Sequence, residues 1–168
     1  MHNSTIEKKP PYLMIAILFF GAFVSFLNNS LLNVALPTIM VHFDKDYATV
    51  QWLATGYMLV SGILIPVSAY LITKFKNRHL FITSMVLFTV GTAMAAFAPN
   101  FGMLLVGRMV QAAGSSVMGP LLMNVMLVSF PREKRGTAMG VFGLVMITAP
   151  AIGPTLSGYI VEYHDWRL

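Results

Sequence analysis

The hydrophobic positions of this chain fall into five long runs of about 20 residues or more, separated by short polar links. The hydrocarbon core of a bilayer is about 30 Å thick, and an α-helix needs about 20 apolar residues to cross it. The pattern therefore predicts an all-α membrane protein with five transmembrane helices. They are expected at residues 12–40, 50–73, 80–98, 101–130 and 136–161.

The links read HFDKDYA, KFKNRH, PN and PREKR, and such short links make neighbouring helices antiparallel. Lysine and arginine accumulate in the cytoplasmic loops of membrane proteins. One side of the predicted bundle carries eight of these residues and the other carries two, so we expect a cytoplasmic tail at 1–11 and an external segment at 162–168. The eight are Lys8, Lys9, Lys74, Lys76, Arg78, Arg132, Lys134 and Arg135, and the two are Lys45 and Arg167.

The composition excludes several classes of protein and of binding site. The chain is 57% hydrophobic and only 10% charged, whereas soluble domains carry about 25% charged residues. It has no cysteine, its four histidines are terminal or in links without metal-ligand spacing, and its six acidic residues all lie outside the runs. We therefore predict that it is not an enzyme and that it binds no metal, cofactor or nucleic acid. The net charge of +5 is a signal of topology.

Arg108 is the one basic residue inside an apolar run. A charge at the centre of a membrane helix costs roughly 2.5–3.5 kcal/mol on insertion scales and usually faces a bundle interior, a watery cavity or a partner. The run begins near Phe101, which puts Arg108 about 10 Å along the helix and at the limit of snorkelling reach. We interpret it as a functional residue. The sequence QAAGSS that follows would let another helix approach closely and form hydrogen bonds.

Polar residues and prolines interrupt the first and fifth runs. Asn28, Asn29 and Asn33 lie within two turns, and the last two share a helix face because they are four residues apart. Hydrogen bonding between helices and a polar cavity wall both explain this patch, and the residues alone leave the two open. In the fifth run Pro150 and Pro154 flank a glycine, which predicts a bent helix with room for close packing.

Four motifs together resemble those of the major facilitator superfamily, most closely its fourteen-helix drug:proton antiporter branch of multidrug exporters. LNNSLLNVALP resembles the first-helix motif L-D-x-T-x-x-N-V-A-L-P, and PVSAYLITKFKNRHLF resembles the loop motif G-x-L-a-D-r-x-G-r-k. LLVGRMVQAAGSSVMGP resembles the fourth-helix motif with R-x-x-Q-G-x-G. APAIGPTLSG resembles the fifth-helix motif G-x-x-x-G-P-x-x-G-G, and DWR matches the W-R after it. The motifs stand in the expected order along essentially the whole chain.

The resemblance implies the N-terminal part of a major facilitator fold. It implies a multi-pass protein of the cell membrane whose parent exports apolar or amphipathic compounds by alternating access, coupled to protons. Its partners would be those compounds, protons, membrane lipid and the remaining helices of the transporter. The roles implied are coupling or gating for Arg108 and Gln111, cavity lining for Asn28, Asn29 and Asn33, a hinge or seal for Pro150, Gly153, Pro154 and Gly158, and the cytoplasmic loop motif for Lys74 and Arg78.

The chain departs from these motifs at several positions. Asn28 stands where the branch usually has an aspartate, and Thr73 replaces the aspartate of the loop motif. Motif glycines are replaced by Ala69, Lys76, Ala112, Ala149 and Ser157. The sequence ends at Leu168 before a sixth run, so we expect a fragment of a longer protein or a truncated product. Two alternatives stay open: a non-transporting five-span scaffold or assembly protein, and a lipid or metabolite permease of the same fold.

Overall fold

A computed structural model describes residues 12–163 as five long α-helices and one short 3-10 helix. The helices are α1 (Tyr12–Phe43), α2 (Tyr47–Lys74), α3 (Asn77–Ala96), α4 (Phe101–Ser129) and α5 (Arg135–Tyr163), with the 3-10 turn at Arg132–Lys134. All five are long and apolar enough to cross a membrane. The prediction of an all-α membrane protein with five transmembrane helices is therefore confirmed. The helix ends lie within three residues of the expected positions.

Two helices begin at caps supplied by the short links. Asp46 accepts a hydrogen bond from the backbone N–H of Thr49 at 3.3 Å, and Asn100 accepts one from Met103 at 2.9 Å. Caps of this kind satisfy N–H groups that the first turn of a helix leaves unpaired. The Thr49 hydroxyl also donates to Asp46, and this bond is the main reason that the pKa of Asp46 lies below its usual value.

α4 is the central helix and the most buried of the five. It packs chiefly against α3 and α2 and also contacts α1, whereas α5 packs mainly on α1. The approach of α3 to α4 depends on glycine: a Cβ on Gly91 would lie 2.7 Å from the carbonyl oxygen of Gly107, and one on Gly114 would lie 2.6 Å from the backbone nitrogen of Phe88. The two backbones are therefore in direct contact, as small residues allow in membrane bundles.

Two apolar clusters fill the bundle. One joins the N-terminal half of α1 to the C-terminal half of α4 and contains Leu18 and Leu121. The other joins the C-terminal half of α1 to the N-terminal halves of α2 and α4 and contains Ile39 and Leu104. Arg108 lies on α4 between the members of the two clusters. A polar layer therefore separates the apolar halves of the bundle, and that layer is the candidate site.

Candidate functional site

Arg108 is buried inside the bundle, with 2% of the residue exposed. Its Nη1 donates to Oδ1 of Asn28 at 2.9 Å, and its Nη2 donates to Oδ1 of Asn29 at 3.1 Å. Nη1 also donates to Oε1 of Gln111, one turn further along α4. The guanidinium therefore lies between α4 and α1 and ties these helices together.

The hydrogen-bond chain continues from α4 to α3 through Gln111, which is buried. Its Nε2 donates to Oγ1 of Thr92 at 2.7 Å, and Oγ1 of Thr92 donates to the carbonyl oxygen of Phe88 at 2.8 Å. The Gln111 amide uses its oxygen toward Arg108 and its nitrogen toward α3, which fixes its orientation. A polar chain thus runs from α1 through α4 to α3.

Tyr57 of α2 completes the surroundings of the guanidinium. Its ring centroid lies 4.5 Å from Cζ of Arg108, within the range of a cation–π interaction. Its hydroxyl also contacts Oγ of Ser115 on α4. Because Ser115 donates its own proton to the carbonyl oxygen of Ala112 at 3.2 Å, the tyrosine is the donor of the shared hydrogen bond. Tyr57 is therefore both a π partner of Arg108 and a link between α2 and α4.

Tyr57 is a residue that the sequence patterns did not single out. A signal was present, because membrane tyrosines concentrate at the two interfaces, whereas Tyr57 lies ten residues after the start of α2, about 15 Å along the helix. Its phenol therefore needs a partner within the bundle. What the sequence does not contain is the identity of that partner, which depends on how α2 packs on α4.

All the contacts that the structure gives Arg108 are with neutral groups, three amide oxygens and one aromatic ring. Within residues 12–163 no carboxylate contacts it, and its Nε has no hydrogen-bond partner. Arginine keeps its charge in proteins because its intrinsic basicity is so high. The site is thus a buried positive charge without a counter-ion among the described residues, and its field favours a negative group nearby.

The asparagines of α1 divide into two groups. Asn28 and Asn29 are partly buried and bind Arg108, which gives them the interhelical hydrogen bonds that the sequence left as one of two explanations. Asn33 lies one turn further along α1, is exposed, and takes no part in the hydrogen bonds to Arg108. The structure therefore brings two of the three asparagines to the buried charge.

The four motif residues of the fifth helix also differ in their exposure. Gly153 is buried against Ser30 of α1, whereas Pro150, Pro154 and Gly158 are exposed. A Cβ on Gly158 would meet no atom within 4 Å. Gly153 therefore faces the bundle, and the other three lie on surfaces of α5 that the described helices do not cover.

The loop-motif residues lie at opposite ends of the link between α2 and α3. Lys74 is the last residue of α2 and Arg78 the second residue of α3, and both are exposed. Nζ of Lys74 lies 5.7 Å from the ring centroid of Tyr70. Arg78 lines a cavity of about 460 Å³ between α3 and the start of α1, where Ile17 is one of the apolar walls.

Comparison with known proteins agrees with this architecture. The sequence pattern of the Major Facilitator Superfamily matches residues 18–168. The chain is 54% identical over 167 residues to the uncharacterized MFS-type transporter YcnB of Bacillus subtilis, covering 98% of this chain and 35% of that protein. It is 48% identical over 155 residues to the lincomycin resistance protein LmrB of Bacillus subtilis, covering 92% of this chain and 32% of that protein.

A more distant relative carries a different name. The riboflavin transporter RibZ of Clostridioides difficile is 30% identical over 158 residues, covering 94% of this chain and 35% of that protein. The chain thus spans about a third of the length of the curated relatives it matches. Its relatives include proteins named for a resistance to a drug and for the transport of a vitamin.

Proposed function

The chain belongs to the major facilitator superfamily, and from this premise we propose that it is part of a secondary active transporter that exports apolar or amphipathic small molecules in exchange for protons. Members of the family are transporters of small molecules. The finer assignment to drug export draws on the similarity to the lincomycin resistance protein. We also propose that the protein lies in the cell membrane, with 1–11 in the cytoplasm and 162–168 outside.

The observation that carries the proposal is the buried Arg108. An arginine whose contacts in the described helices are all neutral is costly in a membrane, so a structural role alone accounts for it poorly. Transporters of this type place substrate and coupling-ion sites near the bilayer midplane. In the proposal Arg108 and Gln111 are the coupling or gating residues, because the guanidinium sets the field in which a proton or substrate binds.

The other residues receive roles that their positions support. Asn28 and Asn29 hold the guanidinium, and Asn33, which is exposed on α1, lines the cavity formed with the remaining helices. Pro150, Gly153, Pro154 and Gly158 form the hinge or seal of α5, with three of them available to helices beyond the five. Lys74 and Arg78 act in the cytoplasmic loop motif.

Proton coupling requires a group that titrates, and Asn28 cannot. The described spans contain no aspartate or glutamate close to Arg108. In the proposal the proton-binding acid therefore comes from the remaining helices, and it binds its proton against the field of Arg108. A carboxylate beside this guanidinium would hold its proton less tightly than an isolated one.

A second candidate function is the transport of a metabolite, and the similarity to the riboflavin transporter favours it. The same five helices and the same buried arginine suit either cargo, because the substrate cavity of this fold is completed by the other half of the protein. A lipid permease and a non-transporting scaffold are the remaining alternatives, and both predict that neither a drug nor a vitamin probe moves.

The test is transport by the purified full-length protein in proteoliposomes under an imposed pH gradient. Radiolabelled lincomycin and riboflavin serve as probes, and a pH-sensitive dye inside the vesicles reports protons. We expect one probe to accumulate with a stoichiometric proton flux that a protonophore abolishes. Exchange of a probe without proton movement would show a permease, and intact protein that moves neither probe nor protons would support the scaffold or a lipid permease.

A further inference from the structure

A hydroxyl of α1 meets a carbonyl of α5 that its own helix cannot satisfy. Pro154 has no backbone N–H, so the carbonyl oxygen of Pro150, four residues earlier, has no donor within the helix. Oγ of Ser30 donates a hydrogen bond to this oxygen at 3.3 Å. A backbone carbonyl at membrane depth without a donor is costly, so a hydroxyl from the neighbouring helix has a clear physical function here.

Gly153 makes the room that this contact needs. A Cβ at Gly153 would lie 2.6 Å from Cβ of Ser30 and closer still to its Oγ. No side chain fits at that distance. The atoms in the way belong to Ser30, whose side chain is too short to move aside. The side chain of Ser30 is therefore seated in a notch of α5 formed by Gly153 and the Pro150 carbonyl.

A second hydrogen bond runs in the opposite direction two turns further along α5. Oγ of Ser157, which is buried, donates to the carbonyl oxygen of Leu31 at 2.8 Å. Each helix thus gives a serine hydroxyl to a backbone carbonyl of the other. Two reciprocal bonds at adjacent α1 positions fix both the distance and the sliding register of α1 and α5.

Ser30 also follows directly after the two asparagines that hold Arg108. A shift of α5 along α1 therefore acts on the same turn of α1 that positions the guanidinium. We infer that Ser30 is a positioning residue of the transport cycle: its hydroxyl sets the register of α5 against the turn that carries Asn28 and Asn29. The inference rests on the proposed transport function and adds to it a link between the fifth helix and the buried charge.

The decisive variant is Ser30→Ala in the full-length protein, because it removes the hydroxyl and keeps the Cβ that fills the notch. We expect the maximal rate of transport to fall about fivefold, the size of effect that one lost hydrogen bond produces, with KM unchanged. Ser30→Thr keeps the hydroxyl and should retain most of the rate. The matched control is Ser25→Ala on the same helix, since the buried Oγ of Ser25 has no hydrogen-bond partner among the described residues.

The double variant Ser30→Gly with Gly153→Ala distinguishes a role of Ser30 in packing from a role of its hydroxyl. Gly153→Ala alone should impair the protein because of the clash with Ser30, and the added Ser30→Gly change removes that clash. If the hydroxyl sets the register, the double variant recovers normal amounts of folded protein but stays as slow as Ser30→Ala. A fully active double variant would overturn the inference.

A measurement that needs no transport makes failure of the inference distinct from failure of the proposed function. Spin labels on cysteines introduced at the exposed positions Val41 of α1 and Tyr159 of α5 report the distance between these helices. We expect the distance distribution to broaden or shift in Ser30→Ala and to stay unchanged in Ser25→Ala. An unchanged distribution in Ser30→Ala would overturn the inference even in a protein that transports normally.

Discussion

The ring of Tyr57 lies over the guanidinium of Arg108, with 4.5 Å between the ring centroid and Cζ. The negative face of an aromatic ring attracts a cation, and the attraction grows when both groups are removed from water. In this chain, where an asparagine stands at position 28, the ring adds its negative face to the amide oxygens that bind the charge. Tyr57 therefore supplies part of the electrostatic stabilisation that a carboxylate would give Arg108.

Replacing Tyr57 separates its ring from its hydroxyl. Tyr57→Leu should lower proton-coupled transport by about 30-fold, since a desolvated cation–π contact is worth about 2 kcal/mol. Tyr57→Phe keeps the ring, loses only the bond to Ser115, and should retain most of the activity. The measurement is initial transport rate in proteoliposomes, with Tyr47→Leu at the exposed start of α2 as control. Equal rates for the leucine and phenylalanine variants would show that the ring does not support Arg108.

Arg108 itself gives the most direct test of the mechanism. Arg108→Ala should reduce coupled transport at least 100-fold, because it removes the charge that we propose to set the field of the cavity. Arg108→Lys should be a partial substitute at best, since an ammonium keeps the charge but lacks the planar fork that reaches Asn28 and Asn29 together. The comparison is proton-driven flux at matched amounts of inserted protein. Full activity of the alanine variant would leave Arg108 with no part in coupling.

The contact between α3 and α4 predicts a loss of stability from a single methyl group. Gly114→Ala would put a Cβ 2.5 Å from the carbonyl oxygen of Ser84, and overpacking of this kind costs about 1–3 kcal/mol. Gly119→Ala, on the same helix, meets no atom within 4 Å and should be neutral. Thermal unfolding of both proteins in detergent is the measurement. Equal melting temperatures would mean that α3 and α4 separate at little cost.

Labelling tests the orientation. Cysteines introduced singly at Lys76 and Lys134 should be shielded from an impermeant thiol reagent in intact cells, and one at Lys45 should react. The reason is the excess of basic residues in the links that carry the first two. Permeabilised cells, in which all three positions should label, provide the control. The reverse pattern in intact cells would invert the topology.

The sequence predicted the five helices well because hydropathy is a local property of each run. It also indicated Arg108 and its neighbours, since a charge within an apolar run is visible without knowing the fold. The spacing of Asn29 and Asn33 suggested one shared face, but only Asn29 contacts Arg108. Helix periodicity gives the direction in which a side chain points. Whether the side chain makes a contact depends on where the residues of the neighbouring helix lie.

The contacts of Tyr57 and Ser30 were beyond sequence reasoning for a different reason. Each depends on which helices are neighbours and at what height they meet, and α2–α4 and α1–α5 are pairs that short links do not join. The proline pair of α5 predicts a bend, and that stays a prediction. That the carbonyl freed by Pro154 would find a hydroxyl of α1 required the packing itself.

The polar layer between the apolar clusters also has a consequence for biogenesis. Proteins are synthesised from the N-terminus, so α1, with Asn28 and Asn29, enters the bilayer before α4 brings in Arg108. The amide oxygens that receive the guanidinium are therefore in the membrane when the charge arrives, as is Tyr57 of α2. The helices made earlier therefore assist the insertion of α4, and the free-energy cost of inserting α4 depends on them. A substitution at Asn28 or Tyr57 would therefore impair the insertion of α4 into the membrane during synthesis.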